Sequence, residues 1–304
     1  MIQKTEKIWF NGKFVPWDEA KVHVLTHTLH YGLGVFEGIR AYKAEKGTAI
    51  FRLDEHIKRF INSAHIFNID LPYSHDELME ASMETVRINR LEEGYIRPIA
   101  FIGYGDMGLY PRSNKIEVAI AVWPWGAYLG KEALERGVRV RISSYIRNSV
   151  NAMMSKAKSC GGYVNSQLAK WEAVRTGYDE AIMLDSEGYV SEGSGECVFI
   201  IRNGTIKTTP LTSILEGITR NSIIEVAKTL GYEVREERFT RDEMYISDEA
   251  FFAGTAAEIT PIREIDGRKI GVGRRGPITE RLQSMFFDIV HGKEKEFEKW
   301  LFYV

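Results

Sequence analysis

The sequence predicts an α+β protein of two domains, on the basis of three features. Helical and strand-like patterns mix irregularly through residues 1–125, which is typical of α+β folds. The segment PWGAYLG at 124–130 then interrupts the pattern, and its Pro and Gly content fits a connection. Beyond it, short strands joined by Gly-containing turns favour antiparallel pairing. We therefore predict a small N-terminal domain over 1–125, a linker over 126–136 and a larger, mostly antiparallel domain over 137–304.

The first domain begins with a predicted hairpin, because Asn11-Gly12 lies between two runs of aromatic and β-branched residues. Residues 52–69 carry apolar side chains at helical spacing. Ser74 and Glu77 then have the spacing of a capping box at the start of a second helix, over 75–90. Two predicted strands complete this domain, GYIRPIAFIGYG at 94–105 and KIEVAIAVWPW at 115–125.

The second domain opens with a predicted strand, GVRVRISSYIR at 137–147, and continues to a lysine pair and a glycine pair that lead into a helix, KAKSCGGYVNSQLAKWEAV at 156–174. Asn203-Gly204 predicts a second hairpin turn. Residues 216–234 predict a helix that Gly231 closes in the left-handed conformation, followed by a strand. Two further strands around a turn of small residues are predicted over 249–262.

Composition narrows the function classes. The 304 residues are 44% hydrophobic and 27% charged with a formal net charge of −2, so we expect a globular protein without a global attraction to nucleic acid or anionic membranes. The longest apolar run, at 118–125, is far shorter than the roughly 20 residues of a spanning helix, and no signal core is present. The only cysteines, Cys160 and Cys197, are too few for a disulfide framework. We expect a cytoplasmic protein that acts on small molecules.

Two weaker patterns carry no function. His23, His27 and His30 would share one face of a helix, but no carboxylate or thiolate nearby completes a zinc site, and we expect ordinary hydrogen-bonded histidines and no metal. The segment GYGDMG at 103–108 lacks the strand–turn–helix setting of a nucleotide site and reads as a loop.

Lys156 and Lys158 are candidates for chemistry, because a lysine amine forms a Schiff base with an aldehyde once burial or charge lowers its pKa. Two other turns suit a phosphate, the helix start in LEGITRNS and the small-residue turn GTAAE, and YVSEGSGE supplies acidic residues. Together these parts match an aldehyde cofactor with a phosphate, pyridoxal 5′-phosphate. From the residues alone, the two lysines are equivalent, and each also fits an exposed lysine before a helix.

The chain resembles the class IV pyridoxal-phosphate aminotransferases, and among them the branched-chain amino acid aminotransferases. Blocks in one order along nearly the whole chain carry the resemblance: IWFNGKFVPWDEAKVHVLTHTLHYGLGVFEGIRAY at 8–42, YIRPIAF at 95–101, PWGAYLG at 124–130, KSCGGYVNS at 158–166, YVSEGSGE at 189–196, LEGITR at 215–220 and GTAAEITP at 254–261. It implies a smaller N-terminal α/β sandwich domain, a larger C-terminal domain, and the cofactor between them.

The resemblance also implies roles for individual residues. The family's cofactor lysine lies five residues before a tyrosine, so Tyr163 selects Lys158 as the Schiff-base residue and proton carrier. Tyr163 would bond the cofactor's phenolate oxygen, and Glu192 its protonated pyridine nitrogen. The phosphate would be held by Arg59, the backbone N–H groups of Ile218 and Thr219, and Thr255.

For the substrate, the resemblance implies an apolar pocket and a group for the side-chain carboxylate of glutamate, which Arg97 would bind. The pocket residues would be Tyr31, Phe36, Tyr128 and Met107 from a neighbouring subunit's loop. The α-carboxylate would meet Tyr95 and the backbone at Thr255, Ala256 and Ala257. The implied reaction is transamination of leucine, isoleucine and valine with 2-oxoglutarate by at least a homodimer.

Three features depart from the family's usual pattern: Cys160 and Gly162 in the lysine loop, Cys197 after YVSEGSGE, and the lack of a proline in VNAMMSKAK at 150–158. They keep every catalytic group but leave open an (R)-amine or D-amino acid transaminase on the same scaffold. Arg97 and the HYGLGVFEGIR block argue against a third enzyme, an aminodeoxychorismate lyase. A pyridoxal-phosphate carrier and a zinc-binding interaction protein are the non-enzyme alternatives.

Overall fold

The computed structural model describes residues 2–126 and 129–304, and the chain divides into two compact units. The first unit runs to Trp125 and adds Ala157–Gly162 and Asp288–Val304, and the second comprises Gly126–Lys156 and Tyr163–Phe287. The two added segments group with the first unit by contact, although the sequence prediction assigned them to the 137–304 domain. Local patterns describe a segment but not the distant residues against which it packs.

The described residues form seventeen strands and eight α-helices. The strands are β1 Lys7–Phe10, β2 Lys13–Pro16, β3 Gly34–Phe36, β4 Ile39–Ala44, β5 Gly47–Phe51, β6 Gly94–Ile102, β7 Ile116–Trp123, β8 Val138–Ile142, β9 Glu180–Leu184, β10 Val190–Gly193, β11 Cys197–Arg202, β12 Thr205–Thr208, β13 Val234–Glu236, β14 Glu249–Gly254, β15 Glu258–Ile265, β16 Arg268–Lys269 and β17 Leu301–Tyr303. The helices are α1 His27–Tyr31, α2 Leu53–Ile66, α3 His75–Ile88, α4 Lys131–Arg136, α5 Tyr163–Arg175, α6 Ile218–Thr229, α7 Arg241–Tyr245 and α8 Pro277–Val290.

The first unit is built on an antiparallel sheet in the order β17-β5-β4-β6-β7-β1-β2, with β3 paired to β6. The predicted hairpin joins β1 and β2, and Asn11 (φ +49°) and Gly12 (φ +84°) both adopt the left-handed conformation that this turn requires. Helices α2 and α3 contribute fully buried residues such as Ile57, Phe60 and Leu78 to the core of this unit. The predicted capping box is present, since Ser74 and Glu77 bond each other's backbone N–H.

The segment Ala157–Gly162 lies beside β3 in the first unit. Ser159 forms an isolated bridge with Val35, and the Cys160 N–H donates to the Gly34 carbonyl at 2.8 Å. Gly161 approaches the backbone of Gly32 so closely that a Cβ there would lie 3.2 Å from the Gly32 carbonyl oxygen. This short backbone pairing fixes the positions of Lys158 and Ser159 beside β3.

The second unit contains a sheet in the order β10-β9-β8-β15-β14-β11-β12-β13, with β16 on β15. Asn203-Gly204 joins β11 and β12 as predicted, and Gly231 (φ +80°) follows the end of α6. Most pairs are antiparallel, which confirms the predicted α+β class, while β8 pairs in parallel with β9 and β15, and β12 with β13. Parallel neighbours are distant in sequence, so hairpin signals do not indicate them.

Part of the predicted linker is a helix. Residues 131–136 form α4, and Leu129 and Ala133 pack against the core of the second unit. The sequence KEALER consists largely of good helix formers, which explains why this segment is not an extended connection. None of the helices in the described part of the chain has the length and apolar character needed to cross a bilayer.

Candidate active site

In the first unit, a buried carboxylate holds two basic side chains of α2. Glu37, which follows β3 and has no exposed surface, accepts bonds from Arg59 Nε at 2.6 Å and Nη2 at 2.9 Å. His56 Nδ1 lies 2.8 Å from the Glu37 carboxylate. Because a carboxylate only accepts hydrogen bonds, His56 Nδ1 carries the proton and donates it. This bidentate pair fixes the Arg59 guanidinium in one plane.

Electrostatics keep this cluster charged as an ion pair. Burial alone would raise the pKa of Glu37, but the Arg59 charge and the hydrogen bond from His56 hold it well below its usual range. Burial lowers the pKa of His56, in spite of its bond to Glu37. At neutral pH we therefore assign an ionised Glu37, a charged Arg59 and a neutral His56.

Lys158 lies next to Phe36, between β3 and α2. Its carbonyl accepts from the Phe36 N–H at 3.0 Å, and its own N–H donates to the buried Ser63 hydroxyl of α2 at 3.0 Å. The Lys158 ammonium is 5.1 Å from the centre of the Phe36 ring. Since Arg59 and Ser63 are four residues apart on one helix, α2 positions both the predicted phosphate-binding arginine and the predicted catalytic lysine.

Arg97 of β6 lies among aromatic rings that include Phe36. Its guanidinium carbon is 4.8 Å from the ring centre of Phe36, 5.2 Å from that of Tyr95 and 5.8 Å from that of Trp123. Arg97 Nε is buried and has no hydrogen-bond partner among the described residues. A buried donor without a partner is costly, so this site suits a ligand that brings an acceptor.

The remaining first-unit residues of the predicted substrate pocket lie on an exposed edge. Tyr31 is half exposed at the end of α1, and Met107 lies in the loop after β6. His27 links them, because its ring packs 4.6 Å from Tyr31 and its Nε2 lies 2.6 Å from the Gly108 carbonyl oxygen. Tyr128 lies outside the described residues.

In the second unit, Glu192 of β10 forms an ion pair with Arg147. The two side chains are largely buried, and Arg147 Nε lies 2.6 Å from Glu192 Oε1. Arg147 Nη1 is buried and has no hydrogen-bond partner within the described ranges 2–126 and 129–304. This ion pair holds the buried Glu192 carboxylate in one orientation.

Three of the predicted blocks converge near Cys197. This residue starts β11 and pairs with Ala253 at the end of β14, which leads into the Thr255–Ala257 turn. A Cβ on Gly217 would lie 2.7 Å from Cys197 Sγ, so only glycine allows the chain to enter α6 here. No side chain caps α6 at Gly217. Its first two residues, Ile218 and Thr219, are buried.

Tyr163 and the two alanines complete the predicted set in the second unit. Tyr163 is the first residue of α5 and is half buried. Ala256 is half buried and Ala257 is buried in the turn between β14 and β15, where the Ala257 carbonyl accepts from the Thr260 hydroxyl at 2.7 Å.

The turn after Glu192 encloses a pair of buried acids. Glu180 bonds Lys170 Nζ at 2.6 Å and the Ser194 hydroxyl at 2.6 Å, whereas Glu196 accepts from the Gly195 N–H at 3.1 Å. Burial, and then the neighbouring Glu180, raise the pKa of Glu196 to about 8. Glu196 is therefore protonated at neutral pH.

Sequence reasoning did not identify four of these side chains. Glu37, His56, Arg147 and Glu196 orient or surround predicted site residues without having been assigned a role. Glu37 and Glu196 lie within matched blocks, VFEGIR and YVSEGSGE, so acidic residues there were an available signal. His56 lies in the middle of α2 and Arg147 in the irregular segment after β8, and nothing in the local sequence marks either residue.

The three histidines of the 23–30 segment contact backbone groups: His27 Nε2 bonds the Gly108 carbonyl as described, His30 Nε2 lies 2.9 Å from the Val24 carbonyl oxygen, and His23 Nδ1 accepts from the Leu25 N–H at 3.1 Å. Across the described ranges, no three His, Cys, Asp or Glu side chains gather in a way that would hold a metal ion.

Replacing Glu196 by glutamine should change how stability depends on pH. The unfolded carboxyl has a pKa of about 4.3, whereas that of the folded state is raised, so the folded chain keeps a proton that the unfolded chain loses. The contribution of Glu196 to wild-type stability should therefore fall as pH rises from 5 to 8, by up to about 1.4 kcal/mol per pH unit, and Glu196→Gln should remove this contribution. Urea unfolding followed by circular dichroism at several pH values measures the difference.

The exposed Glu132→Gln, on α4, is the matched control and should follow the wild type at every pH. A Glu196→Gln effect that is constant between pH 5 and 8 would contradict a raised pKa in the folded state.

Comparison with known proteins identifies the family. Residues 34–265 match the family described as Amino-transferase class IV. The branched-chain-amino-acid aminotransferase of Pseudomonas aeruginosa is 56% identical over 99% of this chain and 98% of its own length, and that of Escherichia coli K12 is 48% identical over 98% and 97%.

Solved structures agree with the sequence matches. The Escherichia coli branched-chain amino acid aminotransferase superposes with a TM-score of 0.96 at 48% identity, over 98% of this chain and 99% of that one. The branched-chain amino acid aminotransferase of T.th. with pyridoxamine 5′-phosphate also gives 0.96, at 52% identity over 99% of both chains. These matches confirm the resemblance and the fold expected from the sequence blocks. The chain belongs to the class IV aminotransferase family, within its group of branched-chain-amino-acid aminotransferases.

Proposed function

We propose that this chain transfers the amino group of the branched-chain L-amino acids leucine, isoleucine and valine to 2-oxoglutarate, with pyridoxal 5′-phosphate as cofactor. The observation that carries the proposal is the grouping of Lys158, Phe36 and Arg97, which sets an amine beside an apolar ring and an arginine whose Nε is buried. The relatives named for this activity favour it over (R)-amine or D-amino acid transamination.

The residues of the second unit fit the cofactor. Gly217 has no room for a Cβ beside Cys197, and α6 starts there without a side-chain cap, as suits a phosphate against backbone N–H groups. Glu192 offers a buried carboxylate of the kind that stabilises a protonated pyridine nitrogen. The donor set therefore matches a molecule with a phosphate at one end and a basic ring nitrogen at another.

When bound, pyridoxal phosphate supplies an aldehyde that exchanges amines and a ring that accepts electrons from the substrate's α-carbon. We assign the covalent attachment to Lys158 Nζ, which, once released by the substrate amine, takes the proton from the α-carbon. The other proposed contacts are Tyr163 to the phenolate oxygen, Glu192 to the ring nitrogen, and, to the phosphate, Arg59, the N–H groups of Ile218 and Thr219, and Thr255.

Dual substrate specificity follows from the surroundings of Arg97. Its guanidinium lies against ring faces, so an aliphatic side chain finds apolar surface there, while the carboxylate of glutamate finds a charge-assisted donor. We propose that Tyr31, Phe36, Tyr128 and Met107 contact the apolar side chain. Tyr95 and the turn at Thr255, Ala256 and Ala257 are proposed to receive the α-carboxylate.

We also propose a homodimer in the cytoplasm, with amino acids and 2-oxo acids as its small-molecule partners. The first unit exposes an apolar surface formed by the 22–31 and 104–110 segments, which meet at the Thr26–Tyr104 bridge. Leu109 is 88% exposed, Tyr110 76% and Val24 71%, and patches of this kind mark interaction sites. Neither cysteine forms a disulfide in the described structure, which suits a reducing compartment.

Borohydride reduction of the cofactor-loaded protein should attach the pyridoxyl group permanently to Lys158. Tandem mass spectrometry of the digested protein locates the label, because the two lysines of the 156–158 segment give different fragment ions. Lys158→Ala should abolish the label, and Lys156→Ala, measured with excess cofactor, should retain it. A label on Lys156 in the wild type would overturn the assignment.

Single-turnover assays should show that L-leucine and L-glutamate change the visible spectrum of the bound cofactor, while D-alanine and (R)-1-phenylethylamine do not. Arg97→Met should lower kcat/KM for L-glutamate by between about 10- and 100-fold, since a charge-assisted bond is lost. The kcat/KM for L-leucine should fall much less, because its side chain makes no such bond.

Arg87→Met, an exposed arginine of α3, is the control and should leave both substrates unaffected. The proposal would be wrong in its substrate class if only D-alanine and the (R)-amine reacted, and wrong in the role of Arg97 if both L-substrates lost activity equally.

Light scattering of the purified protein should give the mass of a dimer or of a larger assembly of dimers. Leu109→Glu should shift that mass toward the monomer, because a charge placed in an apolar interface is desolvated on association. Val272→Glu, at another exposed apolar residue but in the second unit, should not. A monomeric wild type would rule out the homodimer.

A further inference from the structure

Lys156, the lysine that the proposed reaction does not use, contacts two backbone carbonyls. Its ammonium donates to the carbonyl of Leu211 and, at 3.1 Å, to that of Ile214. Both carbonyls belong to the segment 209–217, which joins β12 to α6 and ends at Gly217, the residue before the proposed phosphate-binding N–H groups. The side chain is partly buried, and burial lowers its pKa, with Glu216 and Glu192 acting in the opposite direction.

The other contacts of the 209–217 segment either involve uncharged groups or lie near the ends of the segment. Arg220 donates to the Thr209 carbonyl at 2.8 Å and so holds the beginning of the segment. In its middle, the Ser213 hydroxyl lies 3.5 Å from that of Ser191, and Cys197 Sγ is 3.9 Å from the Leu215 carbonyl oxygen. Hydrogen bonds from a charged donor are about twice as strong as neutral ones, so Lys156 makes the strongest of these contacts across residues 211–214.

The same contacts connect the two halves of the proposed cofactor site within the second unit. Ser191 precedes Glu192, the proposed partner of the ring nitrogen, and Ser213 lies between the two carbonyls that Lys156 holds. Displacing the 211–214 segment would therefore disturb both the chain that leads into Gly217 and the Ser191–Ser213 contact next to Glu192.

We propose that Lys156 is a positioning residue for the phosphate-binding turn: by fixing the Leu211–Ile214 segment, its ammonium sets the orientation of the Ile218 and Thr219 N–H groups toward a phosphate monoester. The inference rests on the proposed function, because it assumes that this turn binds the cofactor's phosphate. It gives the two neighbouring lysines separate tasks, the aldehyde for Lys158 and the phosphate turn for Lys156.

The test compares the binding of pyridoxal 5′-phosphate and of pyridoxal, which lacks the phosphate, to the cofactor-free full-length protein. Lys156→Met should raise the dissociation constant of pyridoxal phosphate about tenfold, the effect of losing bonds from a charged donor, and that of pyridoxal less than twofold. Lys156→Arg, which keeps a charged donor, should restore most of the affinity. Lys228→Met, at the far end of α6, should behave as wild type.

Hydrogen exchange of the cofactor-free protein provides a readout independent of the ligand. Amides of residues 211–219 should exchange faster in Lys156→Met than in wild type, and amides of β14 should be unchanged. Should Lys156→Met fail to fold, Lys156→Gln replaces it, since its amide keeps a neutral donor, and it should weaken pyridoxal phosphate selectively but less.

Equal weakening of both ligands, or unchanged exchange and affinity, would overturn the positioning role. If wild-type protein bound pyridoxal phosphate no more tightly than pyridoxal, the proposed phosphate site would itself be wrong. The exchange of 211–219 would then still decide whether Lys156 fixes this segment.

Discussion

The burial of the Glu37 carboxylate is the constraint on which the first unit's site depends. A carboxylate without exposed surface is unfavourable unless it is paired, and removing one partner of a buried pair typically costs about 3–5 kcal/mol. Arg59 and His56 satisfy it from adjacent turns of α2, which fixes that helix against the end of β3. Since α2 also holds the Lys158 backbone through Ser63, one ion pair determines where the proposed phosphate-binding Arg59 and the proposed aldehyde-binding Lys158 lie.

In the second unit, close backbone packing fixes the positions of the turns at Gly217 and Thr255. Cys197 occupies the space in front of Gly217 and pairs with the strand that leads into the Thr255 turn. Cys197, one of the departures from the family's usual pattern, therefore has a packing role where β11, β14 and the start of α6 meet. Burial raises the pKa of the other departure, Cys160, so its thiol stays protonated at neutral pH and lies packed beside Gly34.

Features set by neighbouring residues were predictable from the sequence, and features set by distant contacts were not. The two Asn-Gly hairpins, the Ser74 capping box and the Gly231 helix end all depend on a few consecutive residues, and all are present. The return of Ala157–Gly162 to the first unit and the ion-pair partners of Arg59 and Glu192 depend on residues far away in the chain. Lys156 and Lys158 looked equivalent because their local contexts are alike, whereas the structure gives them different neighbours.

The edge of the first sheet has a consequence for how the chain folds. Strand β17 pairs with β5, Leu301 opposite Phe51, so the pairing joins segments separated by about 250 residues, and contacts of such long range slow folding. During synthesis, β5 emerges long before its edge partner and before the Lys158 segment that borders β3. An early, incomplete first unit would thus expose an unpaired strand edge. The proposed Schiff-base residue, Lys158, joins this unit only after most of its sheet has been synthesised.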